Sequence, residues 1–290
     1  MKPIHRRTRR LLHPLAGVLA ALLLAAASAS AETSGVLTYT QDGSAVTITD
    51  CATSAISVVI PDSIADLPVT SIGQLAFKDC ISLTSVTIPA GVTNLGEGAF
   101  SGCGSLVGVT IPAGVTTIGL ATFVDCSHLE SVTIPEGLTN LVDSAFKNCS
   151  SLASITIPAS VTSIGWQAFK GCSSLSSLYF EGNAPALETG VFSGVASNAA
   201  VTVADFAAAG FDVSQGFGGL PITGFGPLTI SNTATAVTIT GCAESTPGEL
   251  LIPASLGGLP VNVIGGDTFA GCDLLTGITI PSGVTHIGPA

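Results

Sequence analysis

The chain has 290 residues, 47% of them hydrophobic, yet only 5% are aromatic and 9% charged, against about 25% charged in an ordinary globular protein. Such apolar content excludes a disordered chain. The formal charge of −11 conceals a more acidic body: residues 1–31 hold five of the eight basic side chains and no carboxylate, which leaves Lys78, Lys147 and Lys170 against 19 carboxylates, a balance of −16. That balance excludes the basic footprint a nucleic-acid binder needs, and it disfavours docking on anionic lipid.

Residues 1–31 read in three parts: a basic stretch ending at Arg10, an apolar stretch from Leu11 to Ala27 broken by His13 and Pro14, and small residues ending Ala29-Ser30-Ala31. This order is that of a secretory signal peptide, with cleavage expected after Ala31. Leu15–Ala27 is short for the roughly 20 residues that span a bilayer. No other apolar run reaches about 18 residues, so no membrane span is expected in the mature chain. The chain is therefore expected to be secreted or on the cell surface.

From residue 77 a fixed period takes over. Phe77, Phe100, Phe123, Phe146, Phe169 and Phe192 are spaced by 23 residues, and so are Cys80, Cys103, Cys126, Cys149 and Cys172. Four units follow without gaps, 81–103, 104–126, 127–149 and 150–172. A fixed period of this length signals stacked coils. In the first unit Val86 and Ile88 share one face of a short strand and Thr87 faces the other way. Pro89 stops the strand because it has no N–H to give, and Gly91 permits the turn. Val92, Leu95, Ala99 and Phe100 supply further inward contacts on the return path. One such unit cannot bury enough surface to fold alone, so neighbours must stack, with strands about 4.8 Å apart.

The unit SLxxVTIPxGVTxIGxxAFxxC resembles the BspA-type leucine-rich repeat of secreted and cell-surface proteins, over about residues 46–195 and 237–290. The resemblance implies a repeat solenoid, a right-handed coil with short parallel strands on its concave face. It also implies a surface binding or adhesion role, since members of the family are linked to attachment to host matrix proteins. It carries over no catalytic residue, because the motif contains none.

A longer repeat overlies the short one. Leu37, Val46, Ile48 and Cys51 match Leu228, Val237, Ile239 and Cys242 at an offset of 191, and Ile60, Ile72, Phe77, Cys80 and Ile88 match Ile252, Ile264, Phe269, Cys272 and Ile280 at 192. Two arrays with similar opening modules are expected: residues 32–195, then a cap and linker over 196–227 containing Phe206, Phe211, Phe217 and Phe225, then a second array from 228. Terminal coils need such caps, since an uncovered coil exposes core and strand edge. Gly288-Pro289-Ala290 falls where the pattern expects the next A-F-x-x-C, so the second array is expected to be truncated.

Candidate chemistry is sparse. Eight cysteines in an exported chain suggest disulfides, whereas stacking at one period suggests a ladder of buried thiols; the ladder is favoured, with bridges between adjacent coils left open. Neither clustered CxxC nor paired His ligands occur for zinc, no EF-hand run for calcium, and no phosphate loop, so no metal and no cofactor are expected. His128 and His286 are the histidines beyond residue 31, and His128 reads as a surface residue at a variable position. No G-x-S-x-G elbow is present, and each serine near His128 has equivalents in other coils, which suits a scaffold better than a unique catalytic site. Asn148-Cys149-Ser150 fits a glycosylation sequon, but Cys149 belongs to the ladder.

The outward strand positions remain as the candidate binding surface: Ser85, Thr87, Thr110, Ser131, Thr133, Ser154, Thr156, Ser177 and Tyr179, with Gly108 in the same row. Threonine also suits strands for its own sake. Apart from Tyr179 the row lacks the Trp, Tyr and Arg that dominate hot spots, so binding to an extracellular protein or glycan is expected to be weak per coil and multivalent. The expectation is a non-catalytic adhesion or interaction scaffold; the alternatives are a structural envelope or spacer protein, or the non-catalytic part of a larger enzyme.

Overall fold

The computed structural model describes residues 32–204 and 210–289. The leader segment 1–31 and Phe206 lie outside the described residues. Within them there are 25 short strands and no helix. The chain winds as a β-solenoid whose coils repeat every 23 residues, the leucine-rich-repeat coil expected from the pattern.

The strand at an S-V-T segment pairs in parallel with its counterpart one coil on, except between Ser131–Thr133 and Ser154–Ile157. Ser57–Val59, Ser85–Thr87, Gly108–Thr110 and Ser131–Thr133 form one four-stranded sheet. Val86, Val109 and Ile155 point inward and are buried, while the Thr beside each is exposed, as strand alternation requires. The return path carries a second row that the sequence pattern does not announce. Asn94–Leu95, Thr117–Ile118, Asn140–Leu141 and Ser163–Ile164 are two-residue strands, also paired coil to coil.

The third side of each coil has no strands but is bonded between coils all the same. Phe77 N–H donates to Ala99 O at 2.7 Å, Phe100 to Thr122 O at 2.9 Å and Phe123 to Ala145 O at 2.9 Å. This ladder holds the phenylalanines face to face: ring centroids are 4.9–5.9 Å apart from Phe77 through Phe192, within 19° of parallel. Each chain segment reverses here through left-handed backbone. The residue before each ladder cysteine has positive φ: Asp79 57°, Gly102 74°, Asp125 61°, Asn148 62° and Gly171 75°. Only Gly, Asn and Asp take that conformation readily, which explains why this variable position holds only those types.

The two opening modules are the same structure. Leu37–Gln41 pairs antiparallel with Val46–Cys51, and Leu228–Asn232 with Val237–Cys242. The registers match to the residue, Tyr39 opposite Ile48 and Ile230 opposite Ile239, and both hairpins carry a bulge at the same place, Thr38/Tyr39 and Thr229/Ile230. The described residues of 196–227 contribute two strands. Ala200–Val203 extends the outward row by pairing in parallel with Ser177–Phe180, and Ile222–Phe225 pairs in parallel with it in turn. Leu228–Asn232 then adds antiparallel to Ile222–Phe225, so one hydrogen-bonded sheet runs from the outward row into the second opening module. Phe180, Phe211 and Phe217 form an aromatic cluster beneath, with centroids 4.9–5.4 Å apart. In the last coil Ile278, Ile280 and Ile287 are exposed and Phe269 is only half-buried, unlike Phe77.

Candidate functional site

The candidate surface is built by strand alternation: because Val86, Val109 and Ile155 turn inward, their neighbours turn to solvent. Ser85, Thr87, Thr110, Ser131, Thr133, Ser154, Thr156, Ser177 and Tyr179 are all exposed. They do not form one ladder. Among the described residues the backbone pairing of the row is interrupted between Ser131–Thr133 and Ser154–Ile157, which belong to different sheets. The first segment runs Ser57, Ser85, Gly108, Ser131 in register, and the second Ser154, Ser177, Ala200. Beside these stand Thr87, Thr110 and Thr133 in one segment, and Thr156, Tyr179 and Thr202 in the other.

In the first segment the row dips. A groove of about 470 Å³ is lined by Val86, Thr87, Ile88, Gly108, Val109, Thr110, Ser131 and Thr133. Gly108 opens it, because it stands where Ser85 and Ser131 carry hydroxymethyl groups. A Cβ there would lie 2.9 Å from Ser131 Oγ, a side-chain atom that can rotate away. The exposed lining is mainly polar, with the Thr and Ser hydroxyls each able to donate one hydrogen bond and accept two. Four of the expected surface residues therefore meet at one depression, and Ser154, Thr156, Ser177 and Tyr179 lie in the neighbouring segment.

Sequence reasoning missed both ends of this row. Ser57 Oγ is 2.8 Å from Ser85 Oγ, but the two are 28 residues apart, off the 23-residue period. Thr202 lies opposite Tyr179 in a segment read only as a cap. It also missed Trp166, which is 44% exposed with Lys147 Nζ 5.9 Å from its ring centroid. Lys78, Lys147 and Lys170 all directly follow a stacked phenylalanine, so the basic side chains of the described chain share one row.

Two carboxylates face one another near the outward strands. Partial burial, then a hydrogen bond shared with Glu136 and repulsion from its charge, raise Glu181 above the ordinary carboxylate value. Both are exposed, and neither lines the groove at Gly108. A carboxyl whose folded pKa is raised takes up its proton more readily folded than unfolded, so the pair opposes folding at neutral pH and ceases to as pH falls through that raised value. Glu136→Gln is expected to raise the melting temperature at neutral pH, with a gain that shrinks as the solution is acidified. A gain of the same size at every pH would contradict this.

His128 is exposed, as expected. Its Nδ1 lies 2.6 Å from Gly104 O and 3.4 Å from Ser127 Oγ, a contact with the preceding coil. The ladder cysteines are buried: Cys103, Cys126 and Cys149 donate to Phe77 O, Phe100 O and Phe123 O at 3.0–3.2 Å. Burial pushes the Cys126 thiol up to about 12 and raises Cys103 as well, so neither is a ready nucleophile. Among the described residues no group of three or more His, Cys, Asp or Glu is disposed to hold a metal, and no helix is long and apolar enough to cross a membrane.

The model of the BspA type leucine rich repeat region matches six copies over residues 51–203 and 258–290. The chain belongs to this family. The BspA-type coil also aligns with the crystal structure of the leucine rich repeat protein TpLRR of T. pallidum, at 28% identity over 68% of this chain and 86% of that one, with a TM-score of 0.53. A leucine rich cell surface protein of Faecalibacterium prausnitzii A2-165 shares the fold at 24% identity, over 90% of this chain and 73% of that one, with a TM-score of 0.51. No curated protein matches the chain.

Proposed function

We propose that this BspA-type chain is a secreted or cell-surface scaffold that binds an extracellular protein or glycan without catalysis, through its outward strand row. The observation that carries this reading is the groove at Gly108, where Thr87, Thr110, Ser131 and Thr133 converge around the gap left by the missing side chain. Hydroxyls gathered around such a gap suit sugar hydroxyls and the backbone of extended peptides, which both donate and accept hydrogen bonds. The same row recurs across successive coils, so weak contacts can add through multivalency. The leader-like residues 1–31 and membership of a bacterial repeat family support export. Residues 32–195 and 228–290 are read as two arrays, with 196–227 covering the end of the first.

The test is a solid-phase binding screen of the chain against matrix proteins and glycans, with another acidic protein as control. Saturable binding to at least one member is expected. Absence of binding across the panel would replace this reading with that of a structural spacer.

A further inference from the structure

On the strand-free side of the coils, backbone bonds set two rows of side chains next to one another. Ala121 N–H donates to Asp143 O at 3.0 Å and Ser144 N–H to Trp166 O at 2.9 Å, so Leu120, Asp143 and Trp166 hold one position on successive coils. Asp125 N–H donates to Lys147 O at 2.9 Å and Asn148 N–H to Lys170 O at 2.7 Å, which does the same for Val124, Lys147 and Lys170. The two rows meet where Lys147 Nζ stands 5.9 Å from the centroid of the Trp166 ring.

Trp166 is the sole tryptophan of the chain, and 44% of it is exposed. The phenylalanines of the stack, by contrast, are buried. Its backbone is held on both sides, with N–H donating to Asp143 Oδ1 at 2.9 Å and O accepting from Ser144. Lys147 and Lys170 are unusual in another way. They stand on adjacent coils, with backbones about 4.8 Å apart, and like charges set opposite one another repel. Among the described residues the ion pair is that of Lys78 with Asp79 at 3.9 Å, and no carboxylate pairs with Lys147 or Lys170. Their row continues into Val124 on one side and Ser193 on the other, neither of them charged. A chain with 19 carboxylates has therefore left two neighbouring cations without a partner, beside its one exposed indole.

We propose that Trp166, Lys147 and Lys170 form a second binding site, separate from the groove at Gly108, for a carboxylated sugar such as a hexuronic acid unit of a polysaccharide. The pyranose ring lays its C–H face on the indole, whose π face carries partial negative charge. The sugar carboxylate accepts charge-assisted hydrogen bonds from the two ammonium groups and relieves their repulsion. The acidic balance of the chain does not prevent this, because at physiological salt charges more than about 8 Å away are largely screened. An acidic peptide fits less well. The backbone groups of this side are spent on bonds between coils, so no strand edge is open for a peptide to extend. The inference does not rest on the groove, which lies in the outward strand row.

The experiment is a fluorescence titration of the full chain with a galacturonic acid tetramer, a neutral galactose tetramer and tetraglutamate. Trp166 alone reports, since the chain has no other tryptophan. A saturable change in its emission is expected with the uronate, at concentrations where the neutral sugar and the peptide give none. Lys147→Gln/Lys170→Gln, followed by calorimetry and shown folded by its thermal melt, should bind the uronate about tenfold more weakly or worse, the loss that removing charged hydrogen-bond donors brings. Trp166→Ala, read by calorimetry because the reporter is gone, should lose binding as well. Gly108→Ser should leave the titration unchanged, so failure here and failure of the groove are told apart. No emission change with the uronate would overturn the proposal. So would equal affinity for the neutral tetramer, for tetraglutamate, or in the double lysine variant.

Discussion

Phe123→Ala is expected to cost about 3–5 kcal/mol of stability, the usual range for emptying a buried aromatic site. Phe123 is fully buried, with rings 5.4 and 5.3 Å away on either side at interplanar angles of 4° and 3°. Neither neighbour can collapse into the gap, because each is fixed by its own backbone bond to the next coil, Phe100 to Thr122 O and Phe146 to Ala168 O. Phe192 has one stacked partner, at 5.9 Å, and is slightly exposed, so Phe192→Ala should cost less. A stacked array is held by nearest neighbours, and a cavity at its middle weakens the coupling of the two halves as well as the coil that carries it. Urea unfolding of both variants is the check. Equal losses would contradict the stacked-row account.

Gly96→Val is expected to cost about 3 kcal/mol for a different reason, overpacking against backbone. A Cβ at Gly96 would overlap the Gln74 amide nitrogen and lie 2.5 Å from the Gly73 carbonyl carbon. Those atoms belong to the preceding coil, which is bonded here by Gly96 N–H to Ile72 O at 2.8 Å, so relief requires opening the coil spacing. The closeness recurs at Gly165, where a Cβ would lie 2.6 Å from Asp143 N, but it is not found in every coil. At Gly119, one coil on, the nearest atom is Leu95 O at 3.0 Å, and the coil after that carries Val142 in the same place. Gly104→Ala is the control, with only Ser127 Oγ at 3.7 Å and Gly102 O at 4.0 Å nearby, and should stay within about 0.5 kcal/mol of the parent. Guanidinium unfolding of the pair decides it, and a Gly96→Val protein as stable as its parent would contradict this close coil packing.

Much of this fold is legible in the chain because repetition multiplies a weak local signal. One Phe or one Cys says little, but Phe77 to Phe192 at a single spacing can only stack, and they do. The outward Thr positions follow from the same register. What escapes is written in other ways. The left-handed turn at Asp79, Gly102, Asp125, Asn148 and Gly171 looks like a variable position until it is asked which residues tolerate positive φ. The groove is marked by a missing side chain, Gly108, which a pattern of present residues passes over. Ser57 and Cys51 lie off the period because their coil is longer, so alignment by spacing does not bring them beside Ser85 and Cys80. The sheet that carries Ala200–Val203 through Ile222–Phe225 into Leu228–Asn232 rests on backbone bonds between unlike segments, which no repeat reveals.

We propose that the outward row, and the dip at Gly108 in particular, is where this BspA-type chain meets its partner. Gly108→Ser tests it most directly, because it fills the groove with the residue that Ser85 and Ser131 already place in that row, while the adjacent Ser131 hydroxyl can turn aside. The measurement is the binding isotherm of parent and variant for the matrix protein or glycan that the screen finds, with thermal melts to show that both are folded. Binding weaker by about tenfold, equal to about 1.4 kcal/mol, at an unchanged melting temperature is the expected result. Unchanged affinity in a variant that melts with its parent would contradict the claim and move the site off the groove.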